Sequence, residues 1–288
     1  MIAEHGLTRA DLDTARDALA GVGAVTDVPA WIDEGAAADL PFGRIDCAAA
    51  RAALEGLLPG VDVVVQPRAG RAKRLLVADM DSTMITIECI DELADYAGIK
   101  PQIAEVTERA MRGELDFEAA LDARVALLKG LGADAIDRCH AERVRLTGGA
   151  RTLVQTMKAN GARTVLVSGG FTLFADRVAE AIGFDRALSN RLDIAEGRLA
   201  GTVARPIVGA ATKAQVLEEE RAGLGLDSDA TLAIGDGAND IPMIQAAGLG
   251  VAFHAKPKTA AAAAARIDHG DLTALLYAQG YKRADWVA

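Results

Sequence analysis

The chain has 288 residues, enough for one large domain with a smaller companion, and its 51% hydrophobic and 25% charged content is that of a folded globular protein. A formal net charge of −10 argues against nonspecific nucleic-acid binding, and 4% aromatics leave no platform for stacking bases. The widely spaced Cys47, Cys89 and Cys139 form no CxxC pair, and neither a leader nor a membrane-length apolar run is visible, so the expectation is a cytoplasmic protein without disulfides or zinc.

Residues 1–70 read as a small α+β unit. TRADLDTARDALAGVG has helical spacing and stops at glycines, AVTDVPAWI is strand-like, DCAAARAALEGLLPG is a second helix, and VDVVVQP is a second strand. A packing or dimerisation module is the plain expectation for such a unit. The basic stretch Arg68–Arg74 suits a linker.

Residues 71–288 change pattern. RLLVADMD, ARTVLVSGG, ATLAIGDGAND and GLGVAFHA are continuous apolar runs, each running into Gly, Ser, Asp or His, and separated by helical segments such as FTLFADRVAEAIGF and TKAQVLEEERAG. Continuous runs alternating with helices indicate an α/β fold with a parallel, Rossmann-like sheet covered on both faces, whose ligands bind at the carboxyl ends of the strands. About 91–145, helices broken by Gly and Pro interrupt the alternation directly after the first strand, which places a helical cap over that edge. The alanine tract Ala260–Ala265, after Pro257, reads as a surface helix.

The polar residues at the strand ends converge on one chemistry. Asp79 and Asp81 end the first strand, Ser168, Gly169 and Gly170 the second; Lys213 opens a helix, and Asp236, Asn239 and Asp240 lie in GDGAND. Singly each has a plain structural role: a solvated loop, a helix cap, a surface lysine, a turn. Together, in this order on a parallel sheet, they describe a phosphoryl-transfer site. Asp79 and Asp236 offer the hard oxygens that suit Mg2+. Ser168, the backbone at Gly169 and the Lys213 ammonium can hold the remaining phosphate oxygens. Two neighbouring carboxyls allow one to attack phosphorus while the other moves the leaving-group proton.

The series DMDST…SGG…K…GDGAND resembles the haloacid dehalogenase superfamily over about Leu75–Gly280. The resemblance implies Asp79 as nucleophile, Asp81 as general acid/base, and Ser168, Gly169, Lys213 and Asn239 as phosphate binders. It also implies Mg2+ held by Asp79, Asp81 (through its backbone carbonyl) and Asp236, with Asp240 orienting Lys213. TIECIDELA, AMRGELDFEAALDARVALLKGL and VSGGFTLFADRVAEAIG are similar to the phosphoserine phosphatase branch of that superfamily. This implies Glu88 on the substrate ammonium, Arg124 on its carboxylate, and Met111 and Phe117 shielding the site, with O-phospho-L-serine as substrate in the last step of serine biosynthesis. The residues alone leave plainer roles open: Glu88 beside a helix dipole, Arg124 paired with Glu118 or Asp122, Met111 and Phe117 in a core. For residues 1–70 the branch implies a domain related to the ACT amino-acid-sensing fold, and a homodimer through it. A phosphotransferase acting on another alcohol such as homoserine, and a silent amino-acid-binding regulator, are the competing readings.

Overall fold

The computed structural model describes residues 1–3, 6–112 and 114–287, and the side chain of Met111 lies outside that description. In chain order the first part contains β1 (Ile2–Ala3), α1 (Arg9–Gly21), β2 (Val25–Thr26), β3 (Ala30–Asp33), β4 (Ala37–Asp39), β5 (Phe42–Gly43), α2 (Cys47–Leu54) and β6 (Val61–Asp62). Helix α1 starts where Thr8 and Asp11 cap each other, Thr8 Oγ1 accepting from Asp11 N at 3.2 Å and the Asp11 carboxylate accepting from Thr8 N at 2.8 Å. Asp46 starts α2 by accepting from Ala49 N at 2.8 Å. Ala15 and Leu19 of α1 and Ala50 and Leu54 of α2 form one buried cluster with Val63. The sheet beneath has the order β3-β4-β1-β6, antiparallel throughout, so β1-α1-β3-β4-α2-β6 is a split β-α-β-β-α-β layout.

Two features of this part differ from the sequence reading. AVTDVPAWI is not one strand: Pro29 has no N–H to donate, and β2 and β3 on either side of Asp27–Pro29 join different sheets. Among the described residues, VDVVVQP pairs with β1 through Val61 and Asp62. The Arg68–Arg74 stretch is docked rather than free. Arg71 lies 2.6 Å from Asp39, and buried Lys73 donates to Gly70 O at 3.1 Å and to Asp229 O at 2.8 Å.

The second part begins with β7 (Leu75–Ala78), followed by α3 (Cys89–Tyr96), α4 (Lys100–Met111), α5 (Phe117–Leu127), α6 (Asp134–Arg143) and α7 (Ala150–Ala159). Then come β8 (Arg163–Phe171), α8 (Thr172–Ile182), β9 (Arg186–Asn190), β10 (Leu192–Ala195), β11 (Arg198–Val203) and α9 (Ala210–Gly223). The chain closes with β12 (Thr231–Gly235), α10 (Ile241–Ala246), β13 (Leu249–Phe253), α11 (Pro257–Ala262), β14 (Ala265–Ile267) and α12 (Ala274–Gln279). The sheet order is β14-β13-β12-β7-β8-β9 with every pairing parallel. Strands β7, β12 and β13 are buried along their whole length, which is why they read as unbroken apolar runs. The chain moves outward from β7 in one direction through β8 and β9, then returns to the other side of β7 with β12. The order reverses between β7 and β12, and a crevice opens at their carboxyl ends.

The cap, α3 to α6, hangs on a two-stranded neck. Ile85 and Leu146 form an antiparallel bridge, Thr86 N donates to Arg145 O at 3.0 Å, and Thr147 N donates to Met84 O at 3.0 Å. A second insertion, the β10–β11 hairpin, was not expected. Its signal is present in RLDIAEGRLAGTV, where apolar residues alternate around Glu196–Gly197, both at positive φ (51° and 71°) as a two-residue hairpin turn requires. The hairpin holds the base of the cap: Gly130 N donates to Leu199 O and Leu199 N to Leu131 O, each at 2.9 Å. The alanine tract also needs correcting. Helix α11 ends at Ala262, Ala263 is buried, and Ala265 opens β14 opposite Val251 with no exposed surface.

The two parts are fastened by Asp62, 4% exposed, whose carboxylate accepts backbone N–H groups of Asp268 (2.8 Å), His269 (3.2 Å) and Gly270 (2.8 Å). Asp62→Ala strands these donors in a buried junction, which costs roughly 2–3 kcal/mol. Calorimetry is expected to show a melting temperature lower by about 4 °C. An unchanged melting temperature would mean that the junction contributes nothing to stability.

Candidate active site

The crevice between β7 and β12 is where the acids gather. Asp79 N donates to Ile234 O at 2.9 Å, so the β7–β12 ladder runs one residue past β7 and sets Asp79 at its tip. Asp236 follows the last residue of β12, and Asp240 closes the next turn, its Oδ2 accepting from Gly237 N at 3.0 Å. One carboxylate oxygen from each of Asp79, Asp236 and Asp240 lies within 4.8 Å of the others, and all three residues are buried. Lys213, in the first turn of α9 and wholly buried, sits 2.5 Å from Asp79 Oδ1 and 2.6 Å from Asp240 Oδ1.

Glycines make this packing possible. A Cβ on Gly235 would fall 2.3 Å from Asp240 Cγ. On Gly170 it would fall 2.6 Å from Asp81 Oδ2 and 3.0 Å from Ser168 Oγ. These backbones approach the carboxylates more closely than any side chain permits.

The charges do not balance within the protein. Burial first, and then Asp240, push the Asp79 carboxyl well above its usual range against the pull of Lys213. Burial and Asp240 likewise raise Asp236 to about 6. Burial alone would push the Lys213 ammonium down, but Asp240 and Asp79 outweigh it and raise it. Three buried carboxylates around one ammonium suit a hard divalent cation, which takes carboxylate oxygens and relieves their repulsion.

Asp81 stands apart from that cluster. Its Oδ1 accepts from Cys89 N at 3.1 Å, and its Oδ2 lies 3.4 Å from Ser168 Oγ, which in turn accepts from Gly170 N at 2.8 Å. Burial, followed by the negative charge of Glu88, raises the Asp81 carboxyl to about 7. It therefore holds a proton through part of the neutral range, as a general acid must.

The cap supplies the remaining groups. Glu88 is the residue before α3 but makes no side-chain cap bond; it accepts instead from Ser82 Oγ at 2.8 Å. Glu88 therefore stands at the start of α3, where the dipole alternative had it, but its carboxylate is spent on Ser82 rather than on the helix N–H groups. Arg124 donates Nε to Ala120 O at 3.2 Å and forms no ion pair among the described residues, while Asp122 pairs with Arg205. Its guanidinium is pushed down by burial and held up by the negative charges of Asp91, Glu88 and Asp81. The Phe117 ring presses on the core from above: a Cβ on Gly169 or on Gly209 would lie 3.1 Å from it. Asn239 is half-buried beside Gly237. Met111, the other expected shield, lies outside the described residues.

Two residues of the site escaped the sequence reading. Ser82, at φ 54°, orients Glu88, and Asn190, at the end of β9, bonds the backbone of Gly169 and Val208. Ser82 was visible inside DMDST, but its partner depends on a loop closure no spacing reveals. Asn190 had no signal, since β9 itself was not recognised.

Residues 76–245 match the family model described as haloacid dehalogenase-like hydrolase. A phosphoserine phosphatase of Streptomyces coelicolor is 49% identical over 236 residues, which cover 81% of this chain and 57% of that protein. The chain spans 57–64% of the length of this and the next curated relatives it matches. Among solved structures, a HAD-family hydrolase from Salmonella enterica serovar Typhi superposes with a TM-score of 0.81 at 31% identity, covering 95% of this chain and 96% of that one. An unliganded probable phosphoserine phosphatase from Vibrio cholerae gives 0.78 at 35% identity, with 97% and 85% covered. Among the described residues, no helix is long and apolar enough to cross a membrane.

The close approach at Gly235 gives a direct check. Gly235→Ala pushes Asp240 away and disturbs Lys213 with it, so affinity for a divalent cation in titration calorimetry is expected to fall about tenfold or more. Undiminished affinity in a folded variant would separate Asp240 from any cation site.

Proposed function

The chain belongs to the haloacid dehalogenase-like hydrolase family, and we propose that it hydrolyses O-phospho-L-serine to L-serine and phosphate through an aspartyl-phosphate on Asp79. The observation that carries the reading is the couple Glu88 and Arg124. They are opposite charges brought by the cap to the same buried acids, Arg124 with no ion partner among the described residues. A zwitterionic amino acid needs one anion and one cation at a side-chain length from phosphorus, and a guanidinium can grip its carboxylate with two bonds. The curated phosphoserine phosphatases that align with the chain support the same substrate.

In this reading Asp79 attacks phosphorus as the bond to the serine oxygen breaks, and Asp81 passes its proton to that oxygen. Water then attacks the aspartyl-phosphate, gives its proton to Asp81, and releases phosphate and the free Asp79 carboxylate. Ser168, the Gly169 backbone, Lys213 and Asn239 hold the phosphoryl oxygens, and Asp240 fixes the Lys213 ammonium. Asp79, Asp236 and the Asp81 backbone carbonyl would hold Mg2+, which when bound offsets phosphoryl charge. Phe117 excludes water over the Gly169 loop. The proposal extends to a boundary near residue 70, to an ACT-related first domain, to a cytoplasmic role in the last step of serine biosynthesis, and to a homodimer.

Phosphate release with and without Mg2+ tests the reading on L-phosphoserine, D-phosphoserine, phosphothreonine, phosphoethanolamine and a sugar phosphate. L-Phosphoserine is expected to be preferred over phosphoethanolamine, which lacks the carboxylate. Arg124→Ala is expected to lower kcat/KM about 100-fold on L-phosphoserine and to leave p-nitrophenyl phosphate within about threefold. Equal loss on both substrates would remove Arg124 from the amino-acid end.

The Asp81 carboxyl, raised to about 7, sets a pH dependence. Serine leaves as an alkoxide and needs the proton, so its release rate falls as pH rises through about 7 and Asp81 ionises. Nitrophenolate leaves without help, so the profile for p-nitrophenyl phosphate stays flatter on the alkaline side. Parallel alkaline limbs for the two substrates would remove Asp81 from protonation of the leaving group.

A further inference from the structure

We propose that Asn190 is a positioning residue for the phosphate end of the site, its buried amide clasping the loop that carries Ser168 to the loop that leads to Lys213. The inference rests on the phosphoryl chemistry proposed above and not on serine being the leaving group. Strand β8 pairs with β9 in register up to Val167 opposite Leu188, and the next pair is Phe171 opposite Asn190. Ser168, Gly169 and Gly170 thus face Ser189 alone, an irregularity that throws these residues out of the ladder toward the crevice. A backbone displaced in this way needs new partners for its polar groups.

Asn190, 2% exposed, provides one. Its Nδ2 donates to Gly169 O at 2.9 Å. The same nitrogen donates to Val208 O at 3.2 Å, and Oδ1 accepts from Val208 N at 2.7 Å. A side-chain amide is suited to this, since it presents donor and acceptor side by side to one residue's backbone while a second N–H reaches the other loop. Leucine offers no such groups, and an ionised aspartate would set oxygen against both carbonyls.

What lies on each side of the clasp is functional rather than generic. Gly169 follows Ser168, whose Oγ is in the site. Val208 precedes Gly209, whose carbonyl accepts from Lys213 N at 3.0 Å in the first turn of α9. Phe117 of the cap rests on both Gly169 and Gly209. The separation between the hydroxyl and the ammonium that would grip one phosphate is therefore set through Asn190, whose side chain bonds, among the described residues, to these two loops alone.

The test compares wild type, Asn190→Asp and Asn190→Ser in the presence of Mg2+, with melting temperatures recorded for each. Inorganic phosphate is titrated by calorimetry, and kcat and KM are measured on L-phosphoserine and p-nitrophenyl phosphate. The proposal expects folded variants whose kcat/KM falls about 10- to 100-fold by the same factor on both substrates, with phosphate affinity weakened about tenfold or more. Phosphate affinity and kcat/KM within about threefold of wild type in a folded variant, whatever the melting temperature, would make Asn190 a packing residue and overturn it. A loss confined to L-phosphoserine would also overturn it, because the effect would then lie at the amino-acid end. Should Asn190→Asp fail to fold, Asn190→Ser decides by the same measures; if neither folds, the amide serves the fold and the proposal falls. Wild type acting on p-nitrophenyl phosphate but not on L-phosphoserine would refute the proposed substrate while leaving Asn190 to be judged on the remaining two readouts.

Discussion

A single ammonium, that of Lys213, sits wholly out of water between Asp79 and Asp240, and the carboxyl edge of the sheet is arranged around it. Burying a charge of either sign costs several kcal/mol unless it is paired in good geometry. Here the pairing is mutual: without the lysine the carboxylates repel each other, and without the carboxylates the lysine is driven toward neutrality. That requirement explains features that look unrelated in sequence. Strands β7 and β12 must be neighbours so that Asp79 and Asp240 flank one point. Helix α9 must start at their carboxyl ends, and Gly235 must have no Cβ for Asp240 to approach.

The parts of the molecule legible in sequence are those dictated by burial on both faces. Strands β7, β12 and β13, buried along their whole length, and the buried middle of β8 announce themselves as unbroken apolar runs. Strand β9, RALSN, is half-exposed along most of its length at the sheet edge, and β14 is three residues long within an alanine-rich stretch, so neither run carries a signal. The alanine tract misled for a related reason. Alanine favours helix, but Ala265 is needed small on an edge strand, and tertiary pairing overrode propensity. The hairpin β10–β11 carries its signal in the alternation around the Glu196–Gly197 turn, a period-two pattern unlike the continuous runs that mark the parallel strands.

The candidate site divides in the same way. Asp79, Asp81, Ser168, Lys213 and Asp236 were found because each is a polar residue where an apolar element ends or begins, an anomaly that spacing exposes. Glu88, Arg124 and Phe117 lie on or beside cap elements with no distinctive periodicity, and only the resemblance pointed to them. The geometry narrows the plainer roles unevenly: Asp122 is engaged with Arg205 rather than Arg124, Glu88 still stands at the start of α3, and Phe117 packs against the core as well as over the two glycines. Asn190 and Ser82 could not be found in this way. Each acts on backbone or on another side chain brought close by tertiary folding, a relation with no period.

This division bears on how one fold can serve many substrates. The sheet holds the groups that would handle a phosphoryl, rigidly, with a buried ion triad and glycine contacts that leave little freedom. The cap holds the groups that would recognise the rest of the substrate, and its chain joins the sheet through the neck at Ile85 and Leu146, with the hairpin under Leu131 bracing its base. Contacts that cross between them at the site include Cys89 N to Asp81, Ser82 to Glu88, and Phe117 to the Gly169 and Gly209 backbones. The Ser82 contact lies in the loop leading to α3 and keeps Glu88 near Asp81. Phe117 rests on the two loops whose spacing the Asn190 amide sets, so the cap and the phosphate end of the site meet at one place.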